Sequence, residues 1–144
     1  MATDTWTPRK QGDAGERSAI AWLLTQGLPV FVPLQHSPDF DLVSELGGRL
    51  IRVQVKTTRV YSKRPWHVSV CTRGGNRSWN GLVKRLDATR YDYLFVLVAD
   101  GRRWLMPSEA ASGGTKICLG GPVYAEYEID RDPNGLRSAG PTNS

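Results

Sequence analysis

Cysteine is nearly absent from this chain. Cys71 and Cys118 are the only two in 144 residues, they lie far apart, and neither belongs to a CxxC or Cys/His spacing. That excludes a disulfide framework and a thiolate metal centre; both are expected as free, partly buried thiols in a reducing compartment. Long apolar runs are missing as well. None approaches the roughly 20 residues of a membrane-spanning helix. The polar start at residues 3–6 leads into no apolar stretch of the kind a signal peptide carries, so the expected location is cytoplasmic. Repeats are absent too. Acidic residues are scarce in one place only: between Lys56 and Arg90, nine lysines and arginines face a single acid, Asp87. From Tyr91 to Asp132 the balance reverses, with seven acids against four bases. In a chain of net charge +5 and pI about 9.5, this segregation is the footprint of a polyanion-binding surface, with nucleic acid the favoured partner.

What is present centres on residues 39–56, DFDLVSELGGRLIRVQVK. Two short apolar strands flank Gly47-Gly48, a two-residue hairpin turn signal. Side chains alternate along a strand, so Ile51, Val53 and Val55 share one face while Arg52, Gln54 and Lys56 share the other. Pairing through the glycine turn brings Asp41 beside the second set. A carboxylate, a carboxamide and an ammonium then meet on a rigid sheet.

The remaining elements follow from local signals. Residues 1–10 read as a loose leader, residues 11–130 as a single domain and residues 131–144 as a disordered tail without core formers. Asp13 reads as a helix N-cap and Gly27 as the residue just past the helix end, with Ile20, Leu23, Leu24 and several alanines on the buried face. Asp13-x-x-Glu16 matches a capping box, which by itself would make Glu16 a cap residue. Strands are expected at 28–34, at 66–72 as a third strand of the hairpin's sheet, at 93–99 as the central strand, and at 103–106 after the Asp100-Gly101 turn. His36, in the loop that delivers Asp39 and Asp41, reads as a surface residue. Residues 73–90 read as a basic loop leading into a short helix at 82–87, with Trp79 placed to stack on a base or to anchor the core. Ser108 is expected to cap a short helix at 109–111, and small edge strands are expected at 116–119 and 125–129. The fold class is α/β: a single domain with a mixed central β-sheet flanked by helices.

Glu16 on the first helix, Asp41 opening a strand, and Gln54-Val55-Lys56 on the next strand resemble the motif of the PD-(D/E)XK nuclease superfamily. Pro38-Asp39 offers a literal PD, but Asp41 directly precedes the apolar pair Leu42-Val43 and is preferred. Gly15-Glu16, DLV, QVKT and YDYLFVLV…RWLMP further resemble the small homing endonucleases of group I introns, over roughly residues 10–107. One residue departs from the superfamily's pattern: Gln54 stands at the position that usually carries an acid, as it does in the intron homing branch.

The resemblance implies a restriction-endonuclease-like core and Mg²⁺-dependent hydrolysis of DNA phosphodiesters, with Mn²⁺ able to substitute. It implies Asp41, the Gln54 oxygen and the Val55 carbonyl as metal ligands, and Glu16 as a ligand through water or to a second ion. Lys56 would orient the attacking water or stabilise the phosphorane charge. Arg59, Lys63, Arg64, Arg73, Arg77, Trp79, Lys84 and Arg85 would bind the DNA. The substrate would be double-stranded or branched DNA and the assembly a homodimer or homotetramer. Two further readings stand beside a site-specific endonuclease: a Holliday junction resolvase, and a non-catalytic DNA-binding protein on a nuclease scaffold.

Overall fold

The computed structural model describes residues 7–37, 39–61, 65–73 and 83–130, with backbone alone at 72, 73, 83 and 84. The expected tail, most of the leader, and Lys63, Arg64, Arg77 and Trp79 lie outside the described residues.

The first element is helix α1, Pro8–Thr25. It begins five residues before Asp13. Thr7 is the N-cap, its side chain accepting the Lys10 N–H, and Pro8 takes the first helical position, where a missing N–H costs nothing. The capping-box expectation at Asp13 and Glu16 is therefore overturned, and residues 8–10 belong to the helix. The far end is as expected. Gly27 adopts φ 75° just past the helix, its N–H reaching Leu24 O and that of Leu28 reaching Leu23 O, a Schellman closure. The buried face is Gly15, Ala19 and Leu23, while Leu24 points to solvent at 56% exposure.

A two-residue strand β1, Val30–Phe31, precedes the hairpin of β2, Leu42–Leu46, and β3, Arg49–Thr58. Both turn glycines have positive φ, 60° at Gly47 and 77° at Gly48, which a mirror-type hairpin turn requires. Strand β7, Tyr93–Val98, runs parallel to β3, and β8, Arg103–Pro107, returns antiparallel beside it. The sheet order is β1-β2-β3-β7-β8, a mixed sheet with β3 in the middle. The parallel β3–β7 pair is fixed at its start by Asp92, whose carboxylate accepts the Arg52 backbone N–H at 2.7 Å and pairs with the Arg52 guanidinium.

One face of the sheet packs on α1 through Leu42, Ile51, Val53, Val55 and Phe95 against Ala19 and Leu23. The other face is covered by strands. Residues 66–72 do not join the main sheet: β4, Trp66–Ser69, pairs with β9, Lys116–Leu119, and β5, Cys71–Arg73, pairs with β6, Val83–Arg85. Where a short helix is expected at 82–87, Val83–Arg85 is instead a strand, because its partner is the non-local β5. Val68, Val70, Ile117 and Leu119 close this second layer over Leu94, Val96, Trp104 and Met106. Ser108 lies inside a 3₁₀ turn, Ser108–Ala111, and donates its hydroxyl to Ala88 O instead of capping a helix. Residues 125–129 form a 3₁₀ turn, Ala125–Tyr127, and a bridge from Glu128 to Trp104 instead of an edge strand.

Candidate active site

Two strands of unequal length create the site. The last ladder pair between β2 and β3 is Leu42 with Val53, and Asp41 then donates its backbone N–H to Val53 O. Backbone N–H and C=O of one strand residue point to the same edge, so two residues further on Val55 offers both to a place where β2 has ended. Asp41 fills it: its Oδ2 accepts the Val55 N–H at 2.8 Å and the Gln54 Nε2 at 2.8 Å. Gln54 Nε2 also lies 3.3 Å from Val55 O. The alternation along β3 therefore places Gln54 and Lys56 as the sequence predicts, but their face is covered. Gln54 is only 6% exposed, and its Oε1 is buried with no hydrogen-bond partner among the described residues. Lys56 donates its ammonium to the carbonyl of Cys71, 3.2 Å away at the start of β5.

Glu16 reaches the site from α1. The helix lies close to β3 at Gly15, where a Cβ would stand 2.3 Å from Thr57 Cγ2 and 3.1 Å from Val55 Cγ1. Only a glycine permits that approach, and the next residue, Glu16, is carried toward Asp41. The electrostatics report the proximity. Burial, then repulsion from Asp41 and Asp13, raise the Glu16 pKa, opposed by His36. Burial raises the Asp41 pKa above the ordinary carboxylate value, opposed by the Val55 N–H, Lys56 and His36. Burial lowers the Lys56 pKa, opposed by Asp41 and by Cys71.

Asp39 does not join this group; its carboxylate pairs with Arg90 at 3.1 Å. His36 is exposed, yet it lies within electrostatic reach of both Glu16 and Asp41. The signal available was its position five residues before Asp41 in the same loop. The Cys71 carbonyl had no sequence signal, since any residue supplies one. Of the expected DNA-binding residues, Arg59 and Arg85 are exposed, and Arg73 and Lys84 lie on the β5–β6 pair. Both cysteines are free: Cys71 is buried, with its thiol on Thr115 O, and Cys118 is exposed, 3.6 Å from His67 Nδ1.

Among the described residues no three His, Cys, Asp or Glu side chains form a metal cluster. The donors at the site are instead one half-buried carboxylate, a carboxamide and the Val55 carbonyl, with Glu16 within electrostatic reach of Asp41. The carboxylate and carbonyl oxygens are hard donors and the carboxamide carries a third oxygen, a set suited to Mg²⁺, which binds few protein groups and keeps several waters. The unpartnered Gln54 Oε1 is the spare acceptor such a site would use. An apolar groove of Phe31, Val32, Pro33, Phe40, Val43 and Leu50 lies on the β1–β2 side and brings no polar group to bear.

The bacterial homing endonuclease I-Ssp6803I has a similar structure, with a TM-score of 0.73 at 22% identity over 85% of this chain and 89% of that one. The Holliday junction resolvase Hjc of Archaeoglobus fulgidus gives a TM-score of 0.49 at 14% identity, covering 88% of this chain and 90% of its own. No curated protein matches the chain. The model of the PD-(D/E)XK endonuclease family matches residues 6–119, a span that holds α1, the hairpin, the parallel strand β7 and every residue of the site just described. The chain belongs to the PD-(D/E)XK endonuclease family.

Proposed function

We propose that this protein is a metal-dependent DNA endonuclease of the homing or site-specific type. The observation that carries the reading is the convergence of Asp41, Gln54, the Val55 carbonyl and Lys56 where β3 outruns β2, with Glu16 facing Asp41 from α1. I-Ssp6803I, which shares the fold, is a homing endonuclease.

Asp41, the Val55 carbonyl and Gln54 would hold the ion, which when bound polarises the scissile phosphate and acidifies water. Asp41 is kept in place by the Val55 N–H, so its free lone pairs stay directed at one point. Lys56 is half-buried and anchored, and its charge stabilises the negative oxygens that develop at phosphorus. Glu16 accepts hydrogen bonds from water beside Asp41. The exposed bases of residues 59–90 track phosphates and set affinity more than sequence choice. Cutting both strands takes two such centres, so the working form is a homodimer or homotetramer, acting in the cytoplasm.

The test is incubation of plasmid and genomic DNA, linear duplex and four-way branched DNA with a titration of Mg²⁺ or Mn²⁺. Discrete duplex cleavage that chelator abolishes is the expected result. Symmetric nicking confined to branched DNA would reassign the protein as a junction resolvase, and binding without any cleavage would reassign it as a non-catalytic scaffold.

A further inference from the structure

The carboxamide of Gln54 has two ends in unequal circumstances. Its Nε2 donates to Asp41 Oδ2 at 2.8 Å and meets the Val55 carbonyl at 3.3 Å, while its Oε1 is buried without a partner. Oxygen and nitrogen of an amide are told apart by their hydrogen bonds, and two acceptors on one side leave only the nitrogen for that side. The price is an orphaned buried acceptor, which is destabilising.

The spacing of these groups adds a second observation. Oxygen ligands sit about 2.1 Å from Mg²⁺, so adjacent corners of its octahedron lie about 3 Å apart. The terminal position now held by Nε2 is 2.8 Å from one prospective ligand oxygen and 3.3 Å from the other, which is the separation of adjacent corners. With nitrogen in that position, N–H groups point at the two oxygens, and a cation between them would oppose those hydrogens. With oxygen there, the carboxamide adds a third hard donor at adjacent-corner distance from the other two. Half a turn about the last side-chain bond exchanges the two states without moving β3.

We propose that Gln54 is a positioning residue with two settings. Its NH₂ holds Asp41 and the Val55 carbonyl together in the ion-free protein, and its carboxamide turns over on loading so that Oε1 takes the nitrogen's place. The inference rests on the reading of this site as one for a divalent cation. A carboxylate in the same position would repel Asp41 whenever the ion is absent; the amide bonds it instead. The ligand corner is thereby assembled before the ion arrives.

The test is NMR of the full chain with ¹⁵N in the glutamine side chains. Gln11, Gln26, Gln35 and Gln54 give four NH₂ pairs, and loss of one in Gln54→Glu identifies the fourth. Mg²⁺ is titrated in, with calorimetry on wild type and Asp41→Asn reporting whether the ion binds at this site. The Gln54 pair is expected to start downfield, bonded to a carboxylate, and to move upfield along the calorimetric isotherm while the other three stay in place. In chelator, Gln54→Glu is expected to melt about 3–6 °C below wild type and to regain that difference with Mg²⁺. Asp41-dependent heat with an unmoved Gln54 pair overturns the proposal and leaves the metal-site reading standing. Absence of any Asp41-dependent heat overturns both.

Discussion

At Glu16 the site works against the fold. This carboxylate is half-buried, feels the charges of Asp41 and Asp13, and has a pKa raised above its ordinary 4.5, by burial first and by the two neighbours next. The folded chain then holds its proton more tightly than the unfolded chain, so stability falls as pH rises through the window between the ordinary and the raised value. Glu16→Gln removes the charge and keeps the shape. In chelator at pH 7 the variant should melt above wild type, by about 1 °C since the group is partly solvated, and the gain should vanish below pH 4. A melting temperature unchanged by the substitution at both pH values would show that no repulsion is stored there. The same variant should lose cleavage, the usual exchange of stability for function. The residue's position was hidden in the sequence by its neighbours. Asp13-x-x-Glu16 carries a start signal, but Thr7-Pro8 carries one too, and the helix begins at the earlier of the two. Asp41, Gln54 and Lys56 were legible because a two-residue alternation and a Gly-Gly turn fix a hairpin register locally. The orphaned Gln54 oxygen and the Cys71 carbonyl on Lys56 were not, because both depend on chain segments that pack from afar.

Among the elements, the α1–β3 contact governs how the site is put together. Gly15 has no side chain, and Thr57 Cγ2 occupies the space where one would begin. Thr57 is β-branched and stiff, so the added methyl cannot be absorbed by a rotamer change. Gly15→Ala gains about 1 kcal/mol of helix propensity and loses about 1–3 kcal/mol to overpacking. Stability should change little or fall, while cleavage falls sharply because the helix and Glu16 are displaced together. Adding Thr57→Ser deletes Cγ2 and should restore part of the cleavage, as a double-mutant cycle measures; additive losses would mean that the two residues do not meet. The strands that cover the other face show where local reading stops. Alternation at 66–72 correctly signals a strand, but its partner is β9, dozens of residues away, and nothing local distinguishes that edge from the hairpin's. Basic residues at 83–85 pair with β5 for the same non-local reason.

For the whole molecule, charge and chemistry separate. Besides Lys56, the eight bases from Arg59 to Arg90, against the single acid Asp87, are proposed to supply affinity for DNA, and no single one of them should be essential to it. Neutralising Arg73 with Arg77, or Lys84 with Arg85, should weaken binding on all DNA sequences alike and lower the salt slope by about 0.9 per lost phosphate contact; an unchanged slope would make the run a solvated face. Lys56 stands apart because it is half-buried, anchored to the Cys71 carbonyl and within electrostatic reach of Asp41. Removing a preorganised charge at the reacting phosphate costs ~10²–10³ in rate, whereas removing one charge among many barely alters affinity. The most direct measurement is therefore the Mg²⁺-dependent cleavage rate of Lys56→Ala, set beside its DNA affinity. The expected rate is lower by about 10²-fold or more, with binding nearly intact. Equal cleavage by Lys56→Ala and wild type would remove Lys56 from the catalytic site.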